Sequence, residues 1–435
     1  LKNLNQADKT ATNKTIKTLN FTQLKNISTP TPKQLQLGMK QAKLRFGLSN
    51  SYYSPSKQPN ALYENKKKSP WLIASLADNI PAPLEKNSLS INNNGISFNR
   101  AAYNPAVLHI QFTPAKGKTS IKNKDAFIDL TLIPSEGEVE GRRVELSTIE
   151  FARNLKSLYG KLSRQEELFT DNPESPSRVI YDLLFKNIRP LLDKHKVTTI
   201  LIAADRGLQA IPFAALSDGD SFFGEKYAFS ITPSLALTDL NISNEKVGSR
   251  LLALGASEFD GLAALPLVPQ ELQKIGKDES KDILINKAFT PSALLVNAAN
   301  PSYNRVHVAT HAEFRPGGPT YSRLHSGDGP ISMDQLAKLR KERKGTPMDL
   351  IVFSACRTAL GDPDSELGFT GLALQAGAKS AVGTLWYVDD VVTSAFFIQM
   401  YRFLEEDIPK ADALQLTRQA FLKGLVTVKG DTIFG

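Results

Sequence analysis

Apolar and polar positions divide the chain near residue 100. Before that point Lys, Asn, Thr, Ser and Pro predominate, broken by Tyr52-Tyr-Ser-Pro55 and Lys66-Lys-Lys-Ser-Pro70. So few apolar side chains cannot offset the entropy of ordering, and residues 1–100 read as a basic polar linker, extended or carrying short helices. One amphipathic helix fits 34–46, where Leu35, Met39, Ala42, Lys43 and Phe46 recur near helical spacing. Beyond 100, residues 106–112 and 126–133 alternate in the manner of strands around a Gly- and Lys-rich connection, which predicts a hairpin at a sheet edge. Amphipathic helices are predicted over 147–159 and 175–194, the second with Pro176 in a Ser-capped first turn and Pro190 near its end.

Five apolar runs follow, at 199–203, 250–255, 306–309, 350–353 and 380–385. Helical stretches at 266–274, 291–297, 332–343 and 369–377 lie between most of them, and another helix is predicted through 415–422. Strands alternating with helices predict an α/β fold with a mainly parallel sheet covered on both faces. In such sheets the chemistry lies beyond the C-terminal strand ends.

Composition changes this picture in two places. The net charge of +9 belongs to the start of the chain: residues 1–70 hold 13 Lys and Arg against Asp8 and Glu64, and the remainder is slightly acidic. That segment reads either as a solvated linker or as a surface for nucleic acid, the linker being favoured because no reader pattern interleaves its aromatic and basic residues. A single cysteine excludes an internal disulfide framework and favours a reducing compartment, hence the cytoplasm. No apolar run is long enough for a membrane span, and the opening on Leu1 reads as a processed start that leaves a removed signal peptide open.

Two strand ends carry candidate chemistry. His311 lies in Arg305-Val-His-Val-Ala-Thr-His-Ala-Glu313, and Cys356 lies in Asp349-Leu-Ile-Val-Phe-Ser-Ala-Cys-Arg357. A thiol becomes nucleophilic as thiolate, and a nearby imidazole can take that proton and later supply one to a leaving amine. Neighbouring parallel strands lie about 4.8 Å apart, so residues just past two adjacent strand ends can meet through their side chains. Backbone N–H groups at Cys356 and Ala312 are candidate oxyanion donors. The same position also suits a buried, unreactive thiol. His307 reads as packing within the sheet, His109 and His195 as surface or edge residues, and His325 as part of a lid-length loop over 316–330. No Cys/His cluster supports a metal site, and no Gly-rich loop matches a phosphate cradle.

Three ordered segments carry a resemblance. Val306-His-Val-Ala-Thr-His-Ala-Glu-Phe314, Ile351-Val-Phe-Ser-Ala-Cys-Arg-Thr-Ala-Leu-Gly361 and Gly377-Ala-Lys-Ser-Ala-Val-Gly-Thr-Leu-Trp-Tyr-Val-Asp-Asp390 resemble the signatures of CHAT domains, in particular cyanobacterial ones. These are caspase-like peptidases related to separase. The resemblance implies a caspase-hemoglobinase-like α/β/α sandwich over 101–435, with one more strand expected past Gly435. It implies a cysteine endopeptidase with His311 and Cys356 as catalytic dyad and no metal or organic cofactor. Two positions depart from the family: Ala312 stands where Gly is usual, and Arg357 where Glu or Gln is common, either favouring thiolate or facing solvent.

In separase-like relatives an acid pairs with a basic residue before the cut. That role falls first to Asp390, then to Asp389 and Glu366, with Asp205, at another strand end, as a further lining residue. Asp390 suits a helix N-cap equally well. The expected partners are a protein or peptide substrate and a regulatory protein or fused repeat domain, with no membrane, and the Lys-rich linker is a candidate for self-cleavage. The rival reading is a non-catalytic signalling module on the same fold.

Overall fold

The computed structural model describes residues 30–46, 96–115, 124–205, 207–232, 234–235, 238, 250–277, 280–313, 322–355, 371, 373–374, 376–385, 389–429 and 432–434. Cys356, Arg357 and Glu366 lie outside the described residues, as does the first half of the expected lid.

The described strands of the α/β core fall into two five-stranded sheets, where the apolar runs alone suggested one. The first is built from β1 (Pro105–Pro114), β2 (Ala126–Pro134), β3 (Glu140–Leu146), β4 (Thr199–Ala204) and β5 (Ala228–Thr232), in the order β3-β2-β1-β4-β5. β1 and β2 form the expected antiparallel hairpin. It is not at the edge, however, because β3 lies beyond β2 and β4 joins β1 in parallel. The run Glu-Gly-Arg-Arg-Val-Glu-Leu of β3 shows no apolar alternation because it is a charged outer strand, with Arg143 paired to Asp129 of β2 at 2.6 Å.

Helices α1 (Pro32–Phe46), α2 (Thr148–Ser163), α3 (Pro176–Leu184), α4 (Arg189–Lys194) and α5 (Phe223–Lys226) accompany this sheet. The single helix expected over 175–194 is two, because Pro190 lacks an N–H and opens α4 rather than continuing α3. Part of the supposed linker is docked: Leu35 and Met39 of α1 pack on Val107 and Ile133. Thr31 and Gln34 cap that helix reciprocally, the Gln34 side chain accepting from Thr31 N at 2.8 Å and the Thr31 hydroxyl from Gln34 N at 3.3 Å.

The second unit begins with β6 (Arg250–Gly255), α6 (Val268–Lys274), β7 (Ser280–Ile285), α7 (Pro291–Ala299) and β8 (Arg305–Ala309). A small antiparallel sheet of β9 (Ala312–Glu313), β10 (Arg323–Ser326) and β11 (Gly329–Ser332) follows, so the second half of the expected lid is strand. Then come α8 (Leu339–Glu342), β12 (Leu350–Ser354), β13 (Ala381–Val382), α9 (Asp390–Glu405), α10 (Lys410–Leu422) and a hairpin of β14 (Thr427–Lys429) and β15 (Thr432–Phe434). The large sheet runs β13-β12-β8-β6-β7, with every neighbouring pair parallel.

Side-chain alternation builds its two cores. Leu251, Ala253, Leu350 and Val352 face α6, α9 and α10, whereas Leu252, Leu254, Ile351 and Phe353 face α7 and α8. Both faces are thus covered, the α/β/α arrangement that the sequence pattern predicts. Helix α10 ties this unit to the first sheet. Thr199 of β4 donates its hydroxyl to Asp412 Oδ1 at 3.0 Å, and the Gln415 and Gln419 amides both donate to the Glu225 carbonyl of α5. No described helix is long and apolar enough to cross a membrane.

Candidate active site

The parallel pairing of β8 with β12 sets the site. Ala309 is in register with Ser354, and the Thr310 N–H donates to the Ser354 carbonyl at 3.2 Å. Thr310 precedes His311, and Ala355 is one residue on from Ser354, so the chain is delivered side by side at the two strand ends that the motifs single out. Ala355 is buried, and its carbonyl accepts from the Thr384 hydroxyl at 2.6 Å, which anchors the segment following β13 to the same place. Thr310 is held a second time by its hydroxyl, which donates to the His325 carbonyl of β10.

His311 is half-buried and oriented by the loop that leads into α6. Its Nε2 lies 2.8 Å from the Ala263 carbonyl, and its ring centroid is 4.7 Å from that of Phe259. A carbonyl only accepts, so the hydrogen sits on Nε2 and Nδ1 is left as the proton-accepting nitrogen.

Ala312 opens β9, facing Leu324 of β10. His325 N donates to the His311 carbonyl at 3.0 Å, which makes the 311–325 pair the hydrogen-bonded one. Antiparallel pairs alternate, so the Ala312 N–H points away from β10. Its backbone is extended, and alanine at this position carries no left-handed strain.

The acidic candidates separate cleanly. Asp389, not Asp390, is the N-cap of α9, its Oδ1 accepting from Val391 N at 2.9 Å and Val392 N at 3.1 Å. Asp389 is exposed, whereas Asp390 in the first turn is half-buried, with the Leu267 N–H nearby. Burial pushes the Asp390 carboxyl up to about 6, Glu271 and Asp389 add to the rise, and the Leu267 N–H and His311 oppose it. Its Oδ2 is buried with no hydrogen-bond partner among the described residues. Asp390 and His311 therefore share one electrostatic neighbourhood.

Asp205 belongs elsewhere. It follows β4 in the first sheet, where its Oδ2 accepts from Phe112 N at 2.8 Å and its own N–H donates to the Ile110 carbonyl. These contacts lace β1 to the end of β4 and do not join Asp205 to His311. Cys356 and Glu366 lie outside the described residues.

Two further histidines have partners that the sequence did not disclose. His325 Nε2 is 3.2 Å from Glu313 Oε1 across β9 and β10. His307 is fully buried on the same face of β8 as Ala309, with Nε2 2.8 Å from Glu271 Oε1 on α6. Sequence reading missed Glu271, although a signal was present: in Val268-Pro-Gln-Glu-Leu-Gln-Lys274 it occupies the apolar stripe with Val268, Leu272 and Ile275. A carboxylate on a buried stripe calls for an interior partner.

Among the described residues, no group of three or more His, Cys, Asp or Glu is gathered as a metal site. A family model described as the CHAT domain matches residues 174–428. A search of curated proteins finds no match.

Proposed function

The chain belongs to the CHAT-domain family, and on that footing we propose that it is a cysteine endopeptidase in which Cys356 is the nucleophile and His311 the proton carrier. The Cys356 sulfur, its proton passed to His311 Nδ1, attacks a peptide carbonyl carbon. The N–H groups of Ala312 and Cys356 receive the oxyanion. Collapse of the tetrahedral species breaks the C–N bond, the leaving amine takes the proton from His311, and a thioester remains. Water, deprotonated by His311, then attacks the thioester and releases the carboxylate product and the thiol.

One observation carries this reading. The parallel register brings Thr310 and Ser354 into hydrogen-bonding contact, and the next residue but one after Ser354 is the sole cysteine. The His311–Ala263 contact supports it, since it leaves Nδ1 rather than Nε2 to meet the thiol. Asp390 supports a preference for a basic residue before the scissile bond. Its Oδ2, which has no hydrogen-bond partner among the described residues, is what a guanidinium or ammonium group would complete. The peptidase domain is taken to begin near residue 101, ahead of the matched residues, because β1 and β2 stand in the middle of the sheet that β4 and β5 complete. A protein substrate and a regulatory partner belong to the same proposal.

The test is a positional peptide library offered to the wild type and to Cys356→Ala, scored for the residue before the cut. Cleavage after Arg or Lys that disappears in the variant is expected. Cleavage after apolar or acidic residues would remove the acidic pocket from the proposal. Cleavage by neither protein, with Cys356 unreactive toward alkylating agents, would favour an interaction module on the same fold.

A further inference from the structure

Glu271 is a carboxylate 1% exposed that no step of the proposed reaction uses. Burying such a group is costly unless its oxygens are hydrogen-bonded, and here both are. Oε1 accepts from His307 Nε2 at 2.8 Å and Oε2 from the Ser394 hydroxyl at 2.7 Å. These partners are fully buried and stand on different elements, His307 on β8 four residues before His311, Ser394 on α9 four residues after Asp390.

The segment leading to Glu271 makes two more contacts with the same two elements. The Ala263 carbonyl accepts from His311, and the Leu267 N–H lies near enough to the Asp390 carboxyl to favour its charged form. Residues 263, 267 and 271 thus meet the β8 arm at 311 and 307 and the α9 arm at 390 and 394. Of these three residues, Glu271 hydrogen-bonds to both arms through one side chain. Phe397 and Tyr401 of α9 pack edge-on against the His307 ring, so the junction is closed on that side by aromatic surface.

We propose that Glu271 is the positioning residue of this site: by joining His307 on β8 to Ser394 on α9 it clamps the 263–271 segment, and so fixes the tautomer and direction of His311 and the seat of Asp390. The inference rests on the reading of His311 as proton carrier and Asp390 as the acid facing a basic side chain. A residue that merely fills the core would be replaceable by any side chain of its volume. A clamp needs an acceptor for His307 and a partner for Ser394 at once.

Glutamine keeps both, since its carbonyl accepts from His307 and its amide can donate to the serine oxygen. The experiment compares full-length wild type, Glu271→Ala, Glu271→Gln and Ser394→Ala by two readouts. One is the long-range proton–nitrogen spectrum of the five 15N-labelled histidines, with His311 assigned by its loss in His311→Gln. The other is kcat and KM on a peptide with Arg before the scissile bond. Wild type and Glu271→Gln are expected to show His311 with its hydrogen on Nε2. Glu271→Ala should lose that form and fall on the order of 10²-fold in kcat, the scale of a misplacement of about 1 Å. Ser394→Ala, which frees the α9 arm alone, should keep the tautomer and raise KM.

An unchanged His311 signal and a kcat within threefold in Glu271→Ala would overturn the clamp, as would equal damage from alanine and glutamine. Should Glu271→Ala fail to fold, Ser394→Ala decides, and a wild-type KM there overturns the proposal. A wild type that cleaves no peptide would refute the peptidase reading, while the tautomer readout still decides the clamp.

Discussion

Both large sheets have five strands, yet they spend their strand-end polar groups differently. In the first, antiparallel pairs β3-β2 and β2-β1 meet parallel pairs β1-β4 and β4-β5. Its strand-end groups close on the sheet's own backbone: Asp205 takes the Phe112 N–H, and the Gln209 amide donates to the Ala204 carbonyl. In the second sheet every pair is parallel, and β8 and β12 finish level with each other. There the polar groups face other elements: His311 donates to the Ala263 carbonyl, and Asp390, in the first turn of α9, keeps an Oδ2 with no hydrogen-bond partner among the described residues. An all-parallel sheet aligns its C-terminal ends on one rim, whereas an inserted hairpin returns its polar ends into the ladder. A strand-end acid is therefore no sign of a site until its partners are known.

The sharpest challenge to this contrast exchanges one strand-end residue from each sheet. His311→Ala should lower kcat/KM about 10³-fold or more, the usual cost of removing a member of a catalytic unit. Asp205→Ala should leave kcat/KM within threefold and instead cost about 1 kcal/mol of stability, the worth of its bond to Phe112, read as a lower Tm. Comparable losses of activity from both would break the comparison.

Next in size is Asp390→Asn. It should reduce kcat/KM by about 10²-fold on an Arg peptide and little on the isosteric neutral citrulline peptide, because a charged partner is lost in a partly buried setting. Burial has raised this carboxyl to about 6, so the charge disappears as pH falls through that value. The acid limb of kcat/KM should stand near pH 6 for the Arg peptide and flatten in the variant.

The boundary between the sheets supplies a third measurement. Burial pushes the Asp412 carboxyl up to about 7, with the Thr199 hydroxyl opposing. A raised carboxyl means that the folded chain holds a proton the unfolded chain has released. Its contribution is fully present below about pH 4 and is lost as pH rises through about 7. Asp412→Asn, which can still accept from Thr199, should therefore raise stability at pH 8 by on the order of 1–3 kcal/mol and change little at pH 4. Smallest of all, Asp389→Ala should cost about 1 kcal/mol through loss of the α9 cap, with a modest effect on KM.

Much of the second sheet was legible in the sequence because β6, β8 and β12 are continuous apolar runs, the mark of strands buried on both faces. The outer strands β3 and β7 were not, since solvent on one side lets charges interrupt the pattern. His311 could be picked out by its place after such a run, and the register of β8 with β12 supports the pairing of its strand end with that of the cysteine motif. Which of Asp389 and Asp390 caps α9 turned on a shift of one residue, beyond what pattern resolves. Glu271 stayed hidden for a different reason: its partners lie 36 and 123 residues away, and nothing local announces a contact made across three elements.

The bond from Thr199 to Asp412 also has a consequence in time. These residues are 213 positions apart, so β4 leaves the ribosome long before the helix that covers it. At about 5–20 residues per second, the face of the first sheet meant for α10 waits roughly 10–40 seconds for its cover. Phe229 of β5, over whose ring the Arg418 guanidinium comes to rest at 5.0 Å, belongs to that waiting surface. A nascent chain stalled anywhere between the two sheets is an exposed hydrophobic surface in search of a partner, and it is the stage at which a chaperone has most to do.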